Sequence, residues 1–319
     1  MAFERPVQEL EQRLAELEEL SSTTELDISS EMEALRAKLE VAITEAYSDL
    51  SPWDQVRVAR HPDRPVSSDI INYLFDEFME LRGDKVYGDD PAIVTGFGTL
   101  QGRRVMIVGH RKGKTTKERV ECNFGCAHPE GYRKALRKMK LAEKLGLPII
   151  SLINTPGAYP GIGAEERGQA AAIAENILEM FNLRVPIVTC VIGEGGSGGA
   201  LGIGVADRVM MMQYAYYSVI SPEGCAAILW KDAERTPDAA EALGLTAETL
   251  TDLKIIDQVV PEPPGGGHRN RELSMDNLGK ALVDALDDLS AIPIEELVAT
   301  RREKFRRMGA IEGRFPVLN

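Results

Sequence analysis

The stretch with the most chemical scope is Gly193-Glu194-Gly195-Gly196-Ser197-Gly198-Gly199-Ala200, set between an apolar strand-like run and a helix-like one. Three patterns overlap in it. Read as G-x-G-x-x-G (Gly193, Gly195, Gly198), it would bind a dinucleotide, a use that needs an acidic residue about 20 positions on to hold a ribose. Gln213-Tyr214-Ala215-Tyr216-Tyr217 stands there instead, which argues against a nicotinamide cofactor. Read as G-x-S-x-G (Gly195, Ser197, Gly199), it would be a nucleophile elbow with Ser197 on the turn, and Asp252 or Asp257 and then His268 follow in the order a hydrolase triad needs. With four histidines in all, and His268 in a Pro/Gly-rich stretch, that order arises easily by chance. The third reading uses the backbone: glycines let peptide N–H groups at a helix N-terminus approach a ligand oxygen, where exposed donors and helix dipole favour negative charge. That is an oxyanion hole. A purely structural use of these glycines, in tight turns and close packing, stands beside it.

A second loop of the same kind precedes it, Thr155-Pro156-Gly157-Ala158-Tyr159-Pro160-Gly161. Each loop follows a buried strand, Ile149–Ile153 and Pro186–Ile192, and each leads into a helix. Consecutive strand-loop-helix units imply parallel strands with right-handed crossovers, so both loops fall at strand C-terminal ends and can face one cleft. A shorter third unit runs through Tyr217–Ile220, the turn Ser221-Pro222-Glu223-Gly224 and a helix from Cys225 to Trp230.

The remaining elements frame these units. Val7, Leu10, Leu14 and Leu17, then Met32, Leu35, Leu39, Ile43 and Ala46, recur at helical spacing and predict a helical hairpin over 1–50, docked on its own domain or on another subunit. Residues 51–90 read as a linker and helical segment, and 91–319 as the main domain with C-terminal helices. Ile93–Phe97 and Arg104–Gly109 flank Gln101-Gly102, a hairpin signal. A helix is expected from Pro129 to about Leu145, and further helices around 233–254, 276–289 and 294–308.

Length and composition bound the function. The chain has 319 residues, 44% hydrophobic and 27% charged, which suits a large globular α/β protein. No apolar run reaches about 18 residues and no signal-peptide pattern opens the chain, so a cytoplasmic protein with no membrane association is expected. Four cysteines (Cys122, Cys126, Cys190, Cys225) lack zinc-ribbon spacing, so no metal is expected. The net charge of −13 argues against nucleic acid. Yet 103–144 holds thirteen Lys/Arg against four Glu. This block is either a solvated face or an attraction for phosphates or an acidic partner, for which Lys134 and Arg137 are the named candidates.

Several long motifs then resemble one family, the carboxyltransferase alpha subunit of bacterial acetyl-CoA carboxylase. They are Thr155–Gly161 with Gly163-Ala164-Glu165-Glu166-Arg167-Gly168-Gln169, Gly193–Ala200, and Ser218-Val219-Ile220-Ser221-Pro222-Glu223-Gly224-Cys225. Asn123-Phe124-Gly125, Pro129-Glu130-Gly131-Tyr132-Arg133-Lys134-Ala135-Leu136 and Pro261-Glu262-Pro263 match as well, with Cys126-Ala127-His128 departing from the pattern between them. The resemblance implies a crotonase-type (ClpP/crotonase-like) α/β spiral of β-β-α units. It implies transfer of a carboxyl group from carboxybiotin on a carrier protein to acetyl-CoA, giving malonyl-CoA, with no cofactor bound covalently. Its implied partners are a zinc-ribbon beta subunit, the biotin carboxyl carrier protein and biotin carboxylase, in an α2β2 heterotetramer. Its implied site is the peptide N–H groups of Gly198 and Gly199 on the biotin ureido oxygen, with Gly157, Ala158, Gly195 and Gly196 on the biotin side. Glu165, Glu166 and Arg167 stay outside the catalytic set, because a Glu-Glu pair opening a helix ordinarily complements its dipole. A stand-alone crotonase-type hydratase or serine thioesterase is the enzyme alternative, and a carrier-binding scaffold the non-enzyme one.

Overall fold

The computed structural model describes residues 1–23 and 28–309. Eight strands form one sheet: β1 (Asp76–Glu80), β2 (Ile93–Leu100), β3 (Arg103–His110), β4 (Ile149–Thr155), β5 (Ile187–Gly196), β6 (Arg208–Met212), β7 (Tyr216–Ser218) and β8 (Gln258–Val260). Their order is β1-β2-β3-β4-β5-β6-β8, with β7 pairing on β5. The first three strands are antiparallel, β2 and β3 turning at Gln101-Gly102, and every later pairing is parallel. β4 and β5 are buried along their whole length, as expected of parallel strands covered on both faces, and so read as unbroken apolar runs. The edge strand β1 instead carries Asp76, Glu77 and Glu80, charges that blunt an open sheet edge.

Helices cover this sheet. Pro129–Leu145 begins with proline in its first turn, ends on Gly146 in the left-handed conformation, and packs on β2, β3 and the helix Gln169–Met180. Arg271–Ser290 packs on Ser67–Leu74, β5 and β8. The last helix, Ile294–Arg307, is pinned by Arg301, which is 1% exposed. Its guanidinium pairs with Asp207 at 2.7 Å and donates to the carbonyl of Met180, an acceptor that the end of Gln169–Met180 leaves open, and to those of Leu183 and Val185 in the chain leading to β5.

The N-terminal hairpin consists of Arg5–Thr23 and Ser29–Ser48, and its open end docks on its own chain. Tyr47 packs edge-on against Phe3 and Tyr214 and donates to Glu4 at 2.6 Å, while Arg269 reaches Glu4 at 3.2 Å. Residues 51–90 supply the helices Pro52–Ala59 and Ser67–Leu74 and strand β1, and Val56, Ala59, Ile70, Ile71 and Phe75 lie within the main core. Arg64 of this segment forms a buried bidentate pair with Glu262, at 2.6 and 2.9 Å.

Candidate active site

Parallel pairing places Thr155, at the end of β4, against Gly195 near the end of β5, so the two glycine-rich segments start side by side. They meet backbone to backbone. A Cβ on Gly196 would lie 2.1 Å from the Pro156 carbonyl oxygen, and one on Gly199 would lie 2.4 Å from the Gly157 carbonyl carbon and 2.5 Å from the Ala158 nitrogen. Only glycine permits this approach. Thr155 ties its own loop: its hydroxyl donates to the Gly157 carbonyl at 2.7 Å and accepts the Gly157 N–H at 3.1 Å. Tyr159 N–H donates to the Ala127 carbonyl, while Ala158 N–H, next to Gly157, has no acceptor among the described residues.

The expected loop at Gly193–Ala200 is half strand. Gly193–Gly196 extend β5 and pair with β7 at Glu194↔Tyr216, Gly195↔Tyr217 and Gly196↔Ser218, and the chain turns only at Ser197. Gly195 and Gly196, expected on the biotin side, are buried strand residues. Their missing side chains make room for Tyr217 and for the Pro156 carbonyl. Ser197 has φ +51, a left-handed conformation unusual for serine, and opens the short helix Ser197–Leu201. The N–H groups of Gly198 and Gly199 fall in its first turn, where no intrahelical acceptor exists. Behind them, the buried Tyr132 hydroxyl donates to the Gly199 carbonyl at 3.5 Å, and Asn176 holds the Tyr132 and Gly202 carbonyls at 3.0 and 2.9 Å. Beside Ser197 and Gly198 opens a largely apolar cavity of about 380 Å³, walled by Leu201, Tyr217, Val219 and Phe305. Burial pushes the Tyr217 phenol up to about 12, which keeps it protonated at neutral pH.

The turn at Ser197 has the shape of a nucleophile elbow but lacks its partners. None of the four histidines hydrogen-bonds to Ser197 among the described residues, although His110 lies against the Gly199 backbone. His268 stacks on His61 at 3.9 Å, His128 stacks on Tyr159 at 4.1 Å, and His110 is fully buried with Nδ1 facing the Asn154 N–H at 3.4 Å. Burial pushes His110 down to about 3, so it is a neutral packing group. Asp257 accepts from the Val209 N–H and from Lys304, and Asp252 is exposed. No triad converges on Ser197 among the described residues.

Below the loops lies a charge network that the sequence does not announce. Glu194, 4% exposed, is contacted by Lys112, by Arg60 at 2.7 Å and by the Tyr216 hydroxyl at 2.8 Å, and Arg60 also bridges to Glu223. Burial, with Arg60 and Arg119 nearby, pushes the Lys112 ammonium down toward 7, and the adjoining Glu194 carboxylate opposes that shift. The one signal for this cluster is the lone charged residue, Glu194, inside a glycine run.

The basic block divides. Lys134 is 1% exposed and spends its ammonium on Asp89, at 2.5 Å, and on the Asp90 carbonyl, at 2.7 Å, so it fastens a loop and presents no charge to solvent. Arg133 likewise holds Asp84, whose carboxyl is kept at about 2 against the upward push of burial by the Val86, Tyr87 and Gly88 N–H groups together with Arg133. Arg137 faces solvent. Arg167 bonds Glu130 at 2.8 Å and covers the Tyr87 ring, while Glu165 and Glu166 are exposed. No cluster of metal-ligating side chains occurs among the described residues.

Residues 1–309 match the family model described as acetyl co-enzyme A carboxylase carboxyltransferase-like. A carboxyl transferase subunit alpha of acetyl-coenzyme A carboxylase from Xanthomonas oryzae pv. oryzae is 54% identical over 312 residues, covering 98% of each chain. The protein of that name from Heliobacterium modesticaldum is 55% identical over 307 residues, 96% of this chain and 92% of its own. Among solved structures, transcarboxylase 12S superposes with a TM-score of 0.55 at 21% identity, over 72% of this chain and 45% of that one. A Pseudomonas malonate decarboxylase hetero-tetramer in complex with coenzyme A gives 0.55 at 15% identity, over 68% and 89%. At these identities the structural likenesses speak for the fold alone, a crotonase-type sheet with its helical crossovers.

Proposed function

This chain belongs to the acetyl-CoA carboxylase carboxyltransferase family as an alpha subunit, and from that premise we propose that the facing backbones of its two loops form the biotin-side half of the active site. The enzyme transfers a carboxyl group and works with a beta subunit; its substrates are acetyl-CoA and biotin carried on a protein. The observation that carries the site is the backbone contact of Gly199 on Gly157 and Ala158. It brings the N–H groups of Gly198, Gly199 and Ala158, which have no acceptor among the described residues, onto one wall.

Such a site suits the chemistry. When the N–CO₂ bond of carboxybiotin breaks, the electron pair stays on biotin and its ureido oxygen becomes anionic. The biotin anion then takes a methyl proton from acetyl-CoA, and the resulting enolate carbon forms its bond to CO₂. Negative charge thus builds on oxygen, and preorganised N–H donors stabilise it without a titrating acid, each worth roughly 10²–10³ in rate. In this proposal Gly198 and Gly199 donate to the ureido oxygen and Gly157 and Ala158 line the same wall, with Ala158 N–H as the donor that Thr155 leaves available. Gly195 and Gly196 support the wall from within the sheet. The beta subunit carries the acetyl-CoA side, the carrier protein and biotin carboxylase complete the system in an α2β2 arrangement, and Arg137 offers a surface charge to the carrier or to a CoA phosphate. The proposed setting is the cytoplasm; no helix among the described residues is long and apolar enough to cross a membrane. A hydratase or serine thioesterase is not favoured, because Ser197 has no base and the relatives carry a carboxyl transferase name.

The reverse reaction tests the reading. Malonyl-CoA plus biocytin is expected to give acetyl-CoA only when this chain is mixed with a matching beta subunit. Free CoA released by this chain alone, without biocytin, would return Ser197 to the centre as a nucleophile.

A further inference from the structure

A second depression, of about 410 Å³, is lined by Pro156 and by a cationic set of side chains. Arg60, Lys112 and Arg119 border it, and Glu194 is its single carboxylate. Arg64 also lines it but is neutralised by its buried pair with Glu262. Glu194 is shared by Arg60 and Lys112, and Glu223 meets Arg60 from outside the lining, which leaves Arg119 over. The Arg119 Nε is buried and has no hydrogen-bond partner among the described residues. A buried N–H left in that state costs free energy unless an acceptor completes it, and an anion is the strongest acceptor for a guanidinium.

The rim adds a flat apolar surface. Phe124 lines the depression with 49% of its surface exposed, and Asn123 and Phe124 both hold positive φ, +47 and +56. Two such residues in succession are strained, and Gly125 fixes the turn by lying against the Asn154 carbonyl, where a Cβ would come within 2.7 Å. The turn leaves the Phe124 ring on the rim of the depression.

We propose that this depression binds a phosphate-bearing ligand, with Arg119 and Lys112 on the phosphate and Phe124 against an adjoining planar group. A fork of guanidinium donors matches phosphate oxygens, and a half-exposed ring stacks on a base. The phosphate can come from the nucleotide end of a CoA ester or from a free phosphorylated metabolite. The binding itself does not rest on carboxyl transfer.

Titration calorimetry on the full chain tests it with two probes, adenosine 3′,5′-bisphosphate and inorganic pyrophosphate. Binding of at least one is expected, weakened about tenfold or more in Arg119→Ala and by less in Arg119→Lys, which keeps the charge but loses the fork, with unchanged melting temperature in both variants. A tenfold preference for the bisphosphate assigns the site to the nucleotide end of CoA, and equal binding assigns it to free phosphate. Absence of binding by either probe at millimolar concentration, or equal binding by wild type and Arg119→Ala, overturns the proposal. Because the titration needs neither beta subunit nor turnover, its failure is distinct from failure of the reverse reaction.

Discussion

Glu194 and Ser197 stand three residues apart, yet their surroundings work by different means. Around Glu194 everything depends on side chains: two cations and a phenol converge on one buried carboxylate. From Gly196 to Gly199 side chains are absent where it matters, and the geometry is set by how closely two backbones can lie. The first arrangement stores charge and holds the platform in place. The second leaves peptide donors bare, and those donors do not titrate. A reaction that builds negative charge on oxygen can run on the second while the first supplies rigidity and field.

The sharpest way to break this division is to fill the gap between the loops. Gly196→Val places branched carbons on the Pro156 carbonyl, and is expected to cost about 3 kcal/mol or more in a urea melt and at least 10²-fold in the biocytin-dependent reverse rate. A variant that stays stable and active would mean that the loops need not touch. Glu194→Gln probes the other region. It leaves Arg60 and Lys112 without their shared carboxylate, so the denaturant midpoint should fall by the equivalent of about 3 kcal/mol, while the rate per folded molecule stays within a few-fold. A large loss of rate at full stability would place Glu194 in the chemistry.

Acid sharpens the same contrast, because only side-chain regions answer to pH. Burial and the adjacent His61 push His268 down to about 4, where it packs beneath the hairpin against Tyr47. As pH falls from its ordinary value near 6.5, the unfolded chain takes up this proton and the folded chain does not until about 4. Stability is therefore full above 6.5 and declines between 6.5 and 4, by on the order of 2–3 kcal/mol. His268→Gln should flatten that part of a melting-temperature profile. An unchanged slope would mean that His268 is not the group responsible.

Much of the fold can be read from the sequence because its signals are local. Gln101-Gly102 marks the β2–β3 turn, Pro129 and Gly146 bound a helix, and the apolar runs after Pro148 and at Pro186 are β4 and β5. The helix Thr116–Glu121 also has a local signal, the capping pair Thr115 and Glu118, though it sits within a run dominated by charge. What escapes is non-local. Glycines at 193–196 signal a loop, and only pairing with β7, 22 residues on, makes them strand. Lys134 looks like surface charge until Asp89 and Asp90 close over it, and Arg60 has no visible purpose until β5, β7 and the helix Pro222–Leu229 converge on it. The site divides in the same way. Glycine content points to backbone chemistry, whereas the preference of Ser197 for a bare turn over a triad depends on where four distant histidines finish.

The central claim is that peptide donors, and no nucleophile, carry this half of the reaction. It is tested most directly by comparing Ser197→Ala with Gly199→Ala in the biocytin-dependent reverse reaction. Ser197→Ala is expected to stay within a few-fold of wild type, losing at most about 1 kcal/mol of stability at its left-handed backbone. Gly199→Ala, whose methyl group would press on Gly157 and Ala158, is expected to lose at least 10²-fold. The opposite ranking, with Ser197→Ala inactive and Gly199→Ala close to wild type, would contradict the account.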